Sequence, residues 1–277
     1  MLRIGAHLTT SKGYLAMGKQ AAEIDANTFA FFTRNPRGGS VKALNEKDVN
    51  SYHEFASQHD IKDLVAHAPY TLNLCGKDEK VRNFAFTAME EDLKRMEYFP
   101  GNFYNFHPGS HVGQGIDKGI ELIAEVLNTV MFEGMKTTVL LEVMAGKGSE
   151  VGSRFEEIAK IIELTQLKDN IGVCFDSCHL YDAGYDVVNN LDDVIKEFDD
   201  VVGIEKLKAM HLNDSKNPYA SHKDRHEKIG DGALGIEAFR RIINHEKLRD
   251  LPFILETPNE IEGYKEEISL LRSLYEE

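Results

Sequence analysis

The chain alternates short β-type runs with amphipathic helical segments, and this alternation repeats eight times within 277 residues. Most of the β-type runs are nearly continuously apolar, which is typical of parallel strands buried on both faces. The eight runs are Leu2–Ala6, Thr28–Phe32, Leu64–Ala68, Phe103–His107, Thr138–Val143, Gly172–Asp176, Lys208–Leu212 and Pro252–Glu256. A closed barrel of eight β–α units needs roughly 250 residues. We therefore expect an α/β fold, a single (β/α)₈ barrel domain over residues 1–277.

The segments between these runs have helical periodicity. Apolar residues recur at i, i+3, i+4 and i+7 from Ile120 to Leu127 and again from Phe155 to Ile162, and Tyr264 begins a similar pattern near the C-terminus. Such spacing places the apolar side chains on one face of a helix. These faces are expected to cover the outside of the barrel.

Side chains that bind metals lie at the ends of six consecutive predicted strands, from the third to the eighth, and in the loops beyond them. The strand-end residues are His67, His107, Glu142, Asp176, His211 and Glu256, and the loop residues are His179, Asp224 and His226. The carboxyl ends of the strands are where active sites form in such barrels. Imidazole and carboxylate are common ligands of divalent metals. The pattern predicts a metal site at the C-terminal face.

Each of these residues also has a simpler interpretation. A single histidine at a strand end is more often a hydrogen-bonded structural residue than a ligand. Glu142 is less easily explained in this way, because it stands in a strand otherwise without charge, where a carboxylate is costly unless paired or metal-bound. Asp224 and His226 are two residues apart, so that they share one face of an extended segment. The combined pattern favours metal binding over nine unrelated structural roles.

Charge and cysteine content limit the partners and the compartment. The net charge of -14 argues against nucleic acid, although bound cations would add positive charge to the site. Three cysteines, no signal-peptide pattern and no apolar run long enough to span a bilayer predict a cytoplasmic protein with no membrane partner.

The local distribution of charge is more favourable to DNA than the total. The loop after the second strand, residues 33–40, contains Arg34 and Arg37 and no acid, and the loop after the seventh contains Lys216 and Arg225. Acid-rich stretches such as residues 90–92 lie in helical segments, which we expect to face away from the site. Ordinary solvated loops are the alternative.

Several segments, taken together and in order, resemble the endonuclease IV family. They include Ile4-Gly-Ala-His7, Phe32-Thr-Arg-Asn-Pro-Arg37, His67-Ala-Pro-Tyr70, His107-Pro-Gly-Ser-His111, Asp176-Ser-Cys-His179, His211-Leu-Asn-Asp-Ser-Lys216, Asp224-Arg-His226 and Leu255-Glu-Thr-Pro258. The resemblance implies a TIM barrel that hydrolyses the DNA phosphodiester 5′ to abasic sites and leaves a 3′-hydroxyl. It also implies a monomer with no obligate protein partner, acting on double-stranded DNA.

The resemblance further implies a trinuclear site with three Zn²⁺ ions per chain, one of which Mn²⁺ could replace. His67, His107 and Glu142 would bind the first ion. Glu142 would bridge to a second ion, held also by Asp176, His211 and Glu256, and the third ion would be bound by His179, Asp224 and His226. Glu142 and Glu256 are the catalytic candidates, as bridging ligand and as ligand that orients the nucleophile.

The resemblance also assigns residues to DNA. Arg37 and Tyr70 match positions that enter the minor groove at the lesion, and Arg34, Lys216 and Arg225 are further candidates for DNA contact. His7 follows the first strand on the same face, where it either supports a metal ligand or binds phosphate. One motif departs from the family, because Val143 and Met144 follow Glu142 where polar residues are usual, which puts the fine tuning of the metal site in doubt.

Two other functions remain open. Sugar isomerases and epimerases on related barrels also place Glu, Asp and His around one or two metals, but a polyol substrate needs neither a third ligand group nor an Arg-bearing loop. A non-catalytic protein that binds lesions would be expected to have lost a ligand, and all nine ligand positions are occupied here.

Overall fold

Eight parallel strands form a closed barrel in a computed structural model that describes residues 1–37 and 39–276. Around the barrel they lie in the order β1-β10-β7-β6-β5-β4-β3-β2. The strands are β1 (Ile4–Leu8), β2 (Ala30–Phe32), β3 (Val65–His67), β4 (Phe103–Phe106), β5 (Thr138–Glu142), β6 (Ile171–Asp176), β7 (Leu207–Leu212) and β10 (Phe253–Leu255). A separate antiparallel pair joins β8 (Asp214–Ser215) to β9 (His226–Glu227). The predicted TIM barrel is confirmed.

Helices connect the strands. They are α1 (Tyr14–Glu23), α2 (Glu46–Gln58), α3 (Glu79–Met96), α4 (Ile116–Val130), α5 (Phe155–Leu164), α6 (Ser177–Ala183), α7 (Leu191–Val201), α8 (Ile236–Asn244) and α9 (Ile261–Leu274). The face of α4 that contains Ile120, Ile123 and Leu127 is buried, as its periodicity predicts. In α5 the buried face is Phe155, Ile158, Ile161 and Ile162.

Alternation of side chains along the strands produces two apolar cores. The larger core packs residues such as Phe31, Leu141 and Phe175 together with the buried helix faces. Their strand neighbours, for example Leu140 and Cys174, form a second, smaller cluster. Since successive side chains of a strand point to opposite faces, this second cluster fills the interior of the barrel.

The predicted strands agree with the observed ones, with differences at their ends. The first predicted strand begins two residues too early and stops short of Leu8, which pairs with Phe31 of β2. Hydrogen-bond pairing decides such ends, and a hydropathy pattern does not contain it. Within the described ranges, no helix is long and apolar enough to cross a membrane.

Candidate metal centre and its surroundings

The carboxylate of Glu142 lies at the centre of a histidine cluster at the C-terminal face of the barrel. Its Oε2 atom is 3.4 Å from His67 Nε2 and 3.3 Å from His107 Nε2. Its Oε1 atom is 3.2 Å from His179 Nδ1 and 3.4 Å from His211 Nδ1. Glu142 ends β5 and is fully buried. A single carboxylate therefore faces ligand-type side chains on both of its oxygens.

A second group of ligand atoms surrounds His211 on β7. His211 Nδ1 lies 3.2 Å from Glu256 Oε2 and 3.9 Å from Asp176 Oδ2. Ligand atoms of Glu142, Asp176 and His211 all lie within 4.8 Å of one another. Because Glu142 also belongs to the group with His67 and His107, the two groups share one carboxylate.

The third group lies between α6 and the loop before β9. Asp224 Oδ1 is 3.2 Å from His179 Nε2 and 3.3 Å from His226 Nε2, and Asp176 Oδ2 is 3.8 Å from His226 Nε2. Cys178 is close enough to join Asp224 and His226. Burial raises the pKa of the Cys178 thiol, so a metal ion would have to displace a proton that this thiol holds tightly. His179 is thus the better partner.

Backbone carbonyls orient three of these imidazoles. His67 Nδ1 is 2.6 Å from the carbonyl oxygen of Ala68, and His226 Nδ1 is 3.2 Å from that of Glu256. His179 Nδ1 is 3.0 Å from the carbonyl oxygen of Val143. A carbonyl only accepts, so Nδ1 carries the proton in each ring and Nε2 is free to bind a metal. The unusual Val143 therefore supports His179 through its backbone, where side-chain identity does not matter.

Buried carboxylates and imidazoles perturb each other strongly. Burial alone would raise the pKa of Glu142, but the positive charges of His107 and His211 hold it well below its usual value. Burial would lower the pKa of His226, yet the charge of Asp176 and the adjacent carboxylate of Asp224 raise it to about 9. Without a metal, the cluster thus favours protonated imidazoles beside ionised carboxylates. Divalent cations can replace those protons.

Several buried atoms here have no hydrogen-bond partner among the described residues. They include Glu142 Oε1, both ring nitrogens of His211 and His226 Nε2. Unpaired buried polar atoms are costly, and they are rare outside sites that hold an ion or water. Carboxylate oxygens 3.2–3.4 Å from His211 Nδ1 form no hydrogen bond with it, as expected where several groups point to a shared centre. These donors fit divalent metal ions.

Two asparagines that sequence reasoning missed support the carboxylates. Asn105 Nδ2 donates to Glu142 Oε2, and Asn213 Nδ2 donates to Asp176 Oδ2 over 2.7 Å. Asn105 precedes the candidate ligand His107 by two residues, and Asn213 follows His211 by two. Because alternate strand residues share a face, polar residues two positions from a strand-end ligand could have been detected.

The residues predicted to contact DNA differ in exposure. Arg37, Lys216 and Arg225 are exposed, and Tyr70 is 62% exposed. The Tyr70 ring stands edge-on to Phe32, with centroids 4.9 Å apart, near the mouth of the site. These four side chains are accessible to a ligand as large as DNA.

The prediction for Arg34 is wrong. Its side chain is only 4% exposed, because the guanidinium binds both oxygens of Asp92 and the carbonyl oxygens of Gly39 and Ala88. Asp92 is fully buried as well, although the sequence pattern placed residues 90–92 on the outer surface. Arg34 therefore anchors the loop after β2 to α3, while Arg37 of the same loop is exposed.

His7 contacts Glu256, one of the candidate metal ligands. Its Nδ1 atom lies 2.8 Å from Glu256 Oε1, and its ring packs on Phe32 with centroids 4.2 Å apart. Of the two alternatives for this residue, the contact with Glu256 favours the supporting role.

An open cavity of about 230 Å³ lies above the cluster. Its lining consists of Tyr70, His107, His179, Asp224, Arg225, His226 and Glu256. Ligand-type side chains therefore share a solvent-accessible pocket with an aromatic ring and a cation.

Comparisons with known proteins agree with this geometry. Residues 19–274 match a family described as xylose isomerase-like TIM barrel. A probable endonuclease 4 of Clostridium botulinum is 58% identical over 275 residues, 99% of each protein. Another, from Methanosphaera stadtmanae, is 58% identical and covers 99% of this chain and 100% of its own length.

Solved structures also include an endonuclease IV among those similar to this chain. Endonuclease IV from Thermus thermophilus superposes with a TM-score of 0.88 at 29% identity, over 98% of both chains. A D-psicose 3-epimerase from Clostridium cellulolyticum reaches a TM-score of 0.69 at 13% identity, over 99% of this chain and 100% of its own. At that identity the epimerase shares the fold alone.

Proposed function

The chain belongs to the endonuclease IV family, and on this premise we propose that it is a DNA repair endonuclease that hydrolyses duplex DNA 5′ to abasic sites and leaves a 3′-hydroxyl. The observation that carries the proposal is the position of Glu142, buried and within 3.2–3.4 Å of four imidazoles, with its Oε1 unpaired. A carboxylate in this position suits a bridge between two cations.

Three zinc ions per chain would complete the site. His67, His107 and Glu142 are proposed for the first ion, and His179, Asp224 and His226 for the third. The second would be held by Glu142 together with Asp176, His211 and Glu256. A donor set of imidazoles and carboxylates suits zinc, and Mn²⁺ is an alternative occupant of one position. Each group also has backbone or amide support that would orient its ligands.

Divalent ions bound in such a cluster would supply activation of water near neutral pH and stabilisation of charge on the attacking and leaving oxygens of a phosphodiester. The protein residues determine where this happens. Glu142, which belongs to the first and the second ligand group, would connect these two groups. Glu256, held by His7 over 2.8 Å, is positioned to orient the nucleophile. Asp224 and His226 line the open cavity, where they would align the scissile phosphate.

Lesion recognition is proposed for Tyr70 and Arg37, with Lys216 and Arg225 contacting phosphates. The cavity volume of about 230 Å³ is below the roughly 300–1,000 Å³ of typical pockets for drug-sized ligands. This size suits a sugar phosphate that lacks its base. Extrusion costs least for a nucleotide whose pairing is already lost, which adds selectivity for the lesion.

All three ligand groups come from one chain, so the proposed site needs no second copy, and we propose a monomer without an obligate protein partner. The isomerase alternative has weaker support, because the epimerase likeness concerns the fold and a polyol reaction gives no role to the group of His179, Asp224 and His226.

The test is incision of a duplex containing one tetrahydrofuran abasic analogue, compared with the same duplex without the lesion. We expect a single cut 5′ to the analogue, loss of activity after chelator treatment and recovery with added zinc. Elemental analysis of protein purified without chelator should give about three ions per chain. No incision by metal-replete protein would contradict the function, and a reproducible single ion would favour the isomerase.

A further inference from the structure

The loop from Lys216 to Arg225, between β8 and β9, adopts a backbone conformation that residues with a side chain rarely adopt. Ala220, His222 and Asp224 have φ values of 57°, 54° and 56°. None of them is glycine, for which such φ values are unstrained. Asp224 is a proposed metal ligand, so a ligand is presented from a strained segment. Contacts outside the loop must hold it there.

The contacts come from α6. The amide of Ala220 donates to the carbonyl oxygen of Tyr181 over 3.1 Å, and the amide of His222 donates to that of Asp182 over 3.0 Å. The amide of Asp224 donates instead to a side chain, Asp182 Oδ2, over 2.9 Å. Each of the three left-handed residues is thus bound through its amide to the last turn of α6.

The carboxylate of Asp182 binds residues at both ends of the loop, Ser215 and Asn217 at its start and Asp224 at its end. Its Oδ1 atom accepts a hydrogen bond from Ser215 Oγ over 2.8 Å, and Oδ2 also accepts from Asn217 Nδ2 over 3.4 Å. Asp182 is completely buried. An ionisable side chain in this position is expensive unless its hydrogen-bonding capacity is used, and here both oxygens are used.

The same helix carries another ligand of this group. His179 precedes Asp182 by three residues, and its Nε2 lies 3.2 Å from Asp224 Oδ1. We propose that Asp182 is a positioning residue for the third ion: it fixes Asp224 in register with His179 by holding the Asp224 amide. The inference rests on the proposed function, since it assumes that the third group binds a metal.

Zinc titration of the metal-free protein, followed by calorimetry, tests this inference. Asp182→Ala removes the acceptor and is expected to weaken one of three zinc sites by about 10–100-fold, the usual effect of losing a group that orients a ligand, with two sites unchanged. Asp182→Asn keeps one acceptor oxygen for the Asp224 amide and an amide group that can donate to Ser215, so it should bind zinc nearly as the wild type does.

Two further variants separate the loss of the hydrogen bond from a general effect of substitution or misfolding. Asp186→Ala removes a nearby carboxylate whose described side-chain contacts are to Asn189 and Asn190, and it should leave all three sites intact. Asp182→Ser retains a hydroxyl but is too short to reach the Asp224 amide, so it should weaken the same zinc site by about 10–100-fold even if the alanine variant does not fold. Circular dichroism of each metal-free variant reports the fold.

Three outcomes overturn the inference. Three zinc sites of wild-type affinity in Asp182→Ala or Asp182→Ser show that the acceptor does not position Asp224. Equal weakening of all three sites shows a general structural role. Weakening of the third site in Asp182→Asn as large as in the alanine variant shows that the charge of Asp182 matters and not its hydrogen bond. Fewer than three sites in the wild type overturn the proposed trinuclear centre itself, which separates the two failures.

Discussion

Replacement of Tyr70 by alanine is expected to weaken binding of abasic DNA with little effect on folding. The side chain is 62% exposed, and its main aromatic contact is the edge-on contact with Phe32. Loss of such an aromatic pair lowers the free energy of unfolding by only about 0.5–1.5 kcal/mol. A base or sugar stacked on an aromatic ring contributes about 1–3 kcal/mol by alanine substitution. Since 1.4 kcal/mol corresponds to a factor of ten, Kd for lesion DNA should rise about 5- to 150-fold.

The assay is a fluorescence anisotropy titration of two duplexes, one with an uncleavable abasic analogue and one intact. Tyr70→Phe keeps the ring and should bind as the wild type does. Tyr98→Ala is the matched control, because Tyr98 is 45% exposed and follows α3 at the opposite end of the barrel. Metal content should stay the same in all variants. Lesion affinity and lesion preference within twofold of the wild type in Tyr70→Ala would refute the stacking argument.

Three further predictions concern the metal centre, the loop after β2 and the buried ion pair between Arg34 and Asp92. Glu142→Gln keeps the size of the side chain but loses the charge needed between two cations, so incision should fall by more than about 100-fold while circular dichroism is unchanged. The expected loss is this large because groups that only orient metal ligands already contribute about 10–100-fold. Near-normal incision would exclude the bridging role. Arg37→Ala removes an exposed cation proposed to lie near phosphates, so the slope of log K against log salt should decrease by about 1, and an unchanged slope would place Arg37 away from the DNA. Asp92→Ala removes the buried carboxylate that binds the Arg34 guanidinium and should lower the free energy of unfolding by about 3–5 kcal/mol in urea denaturation. Glu90→Ala, which removes an exposed pair with Lys94 on the same helix, should cost less than about 1 kcal/mol, and equal losses in the two variants would contradict the argument.

The sequence alone predicts the barrel fold and the candidate metal ligands. Eight apolar runs separated by amphipathic segments favour a closed parallel barrel, because local hydropathy distinguishes buried strands from helices with one apolar face. A parallel barrel also places every strand end on one face, so the chain order of His67, His107, Glu142 and the later candidates already predicts a common site. The central position of Glu142 was implied by the family resemblance, and the folded chain places it within 3.2–3.4 Å of four imidazoles.

Tertiary structure decided which polar side chains face the solvent. Arg34 and Arg37 stand three residues apart in one acid-free loop, yet Arg34 is buried against Asp92 and Arg37 is exposed. The partners Arg34 and Asp92 are 58 positions apart in the chain. Local patterns report periodicity, and they do not report which distant residue will meet a given side chain.

The support of the third ligand group likewise appeared only in the folded chain. Asp182 lies within a short helical segment, and no spacing rule connects it with Asp224, 42 residues later. Its hydrogen bond with the Asp224 amide exists because the loop before β9 folds back over α6 with three left-handed residues. Ligand identity is a property of residue type and strand position, which sequence determines. Ligand orientation depends on backbone direction in loops, and only long-range packing determines that direction.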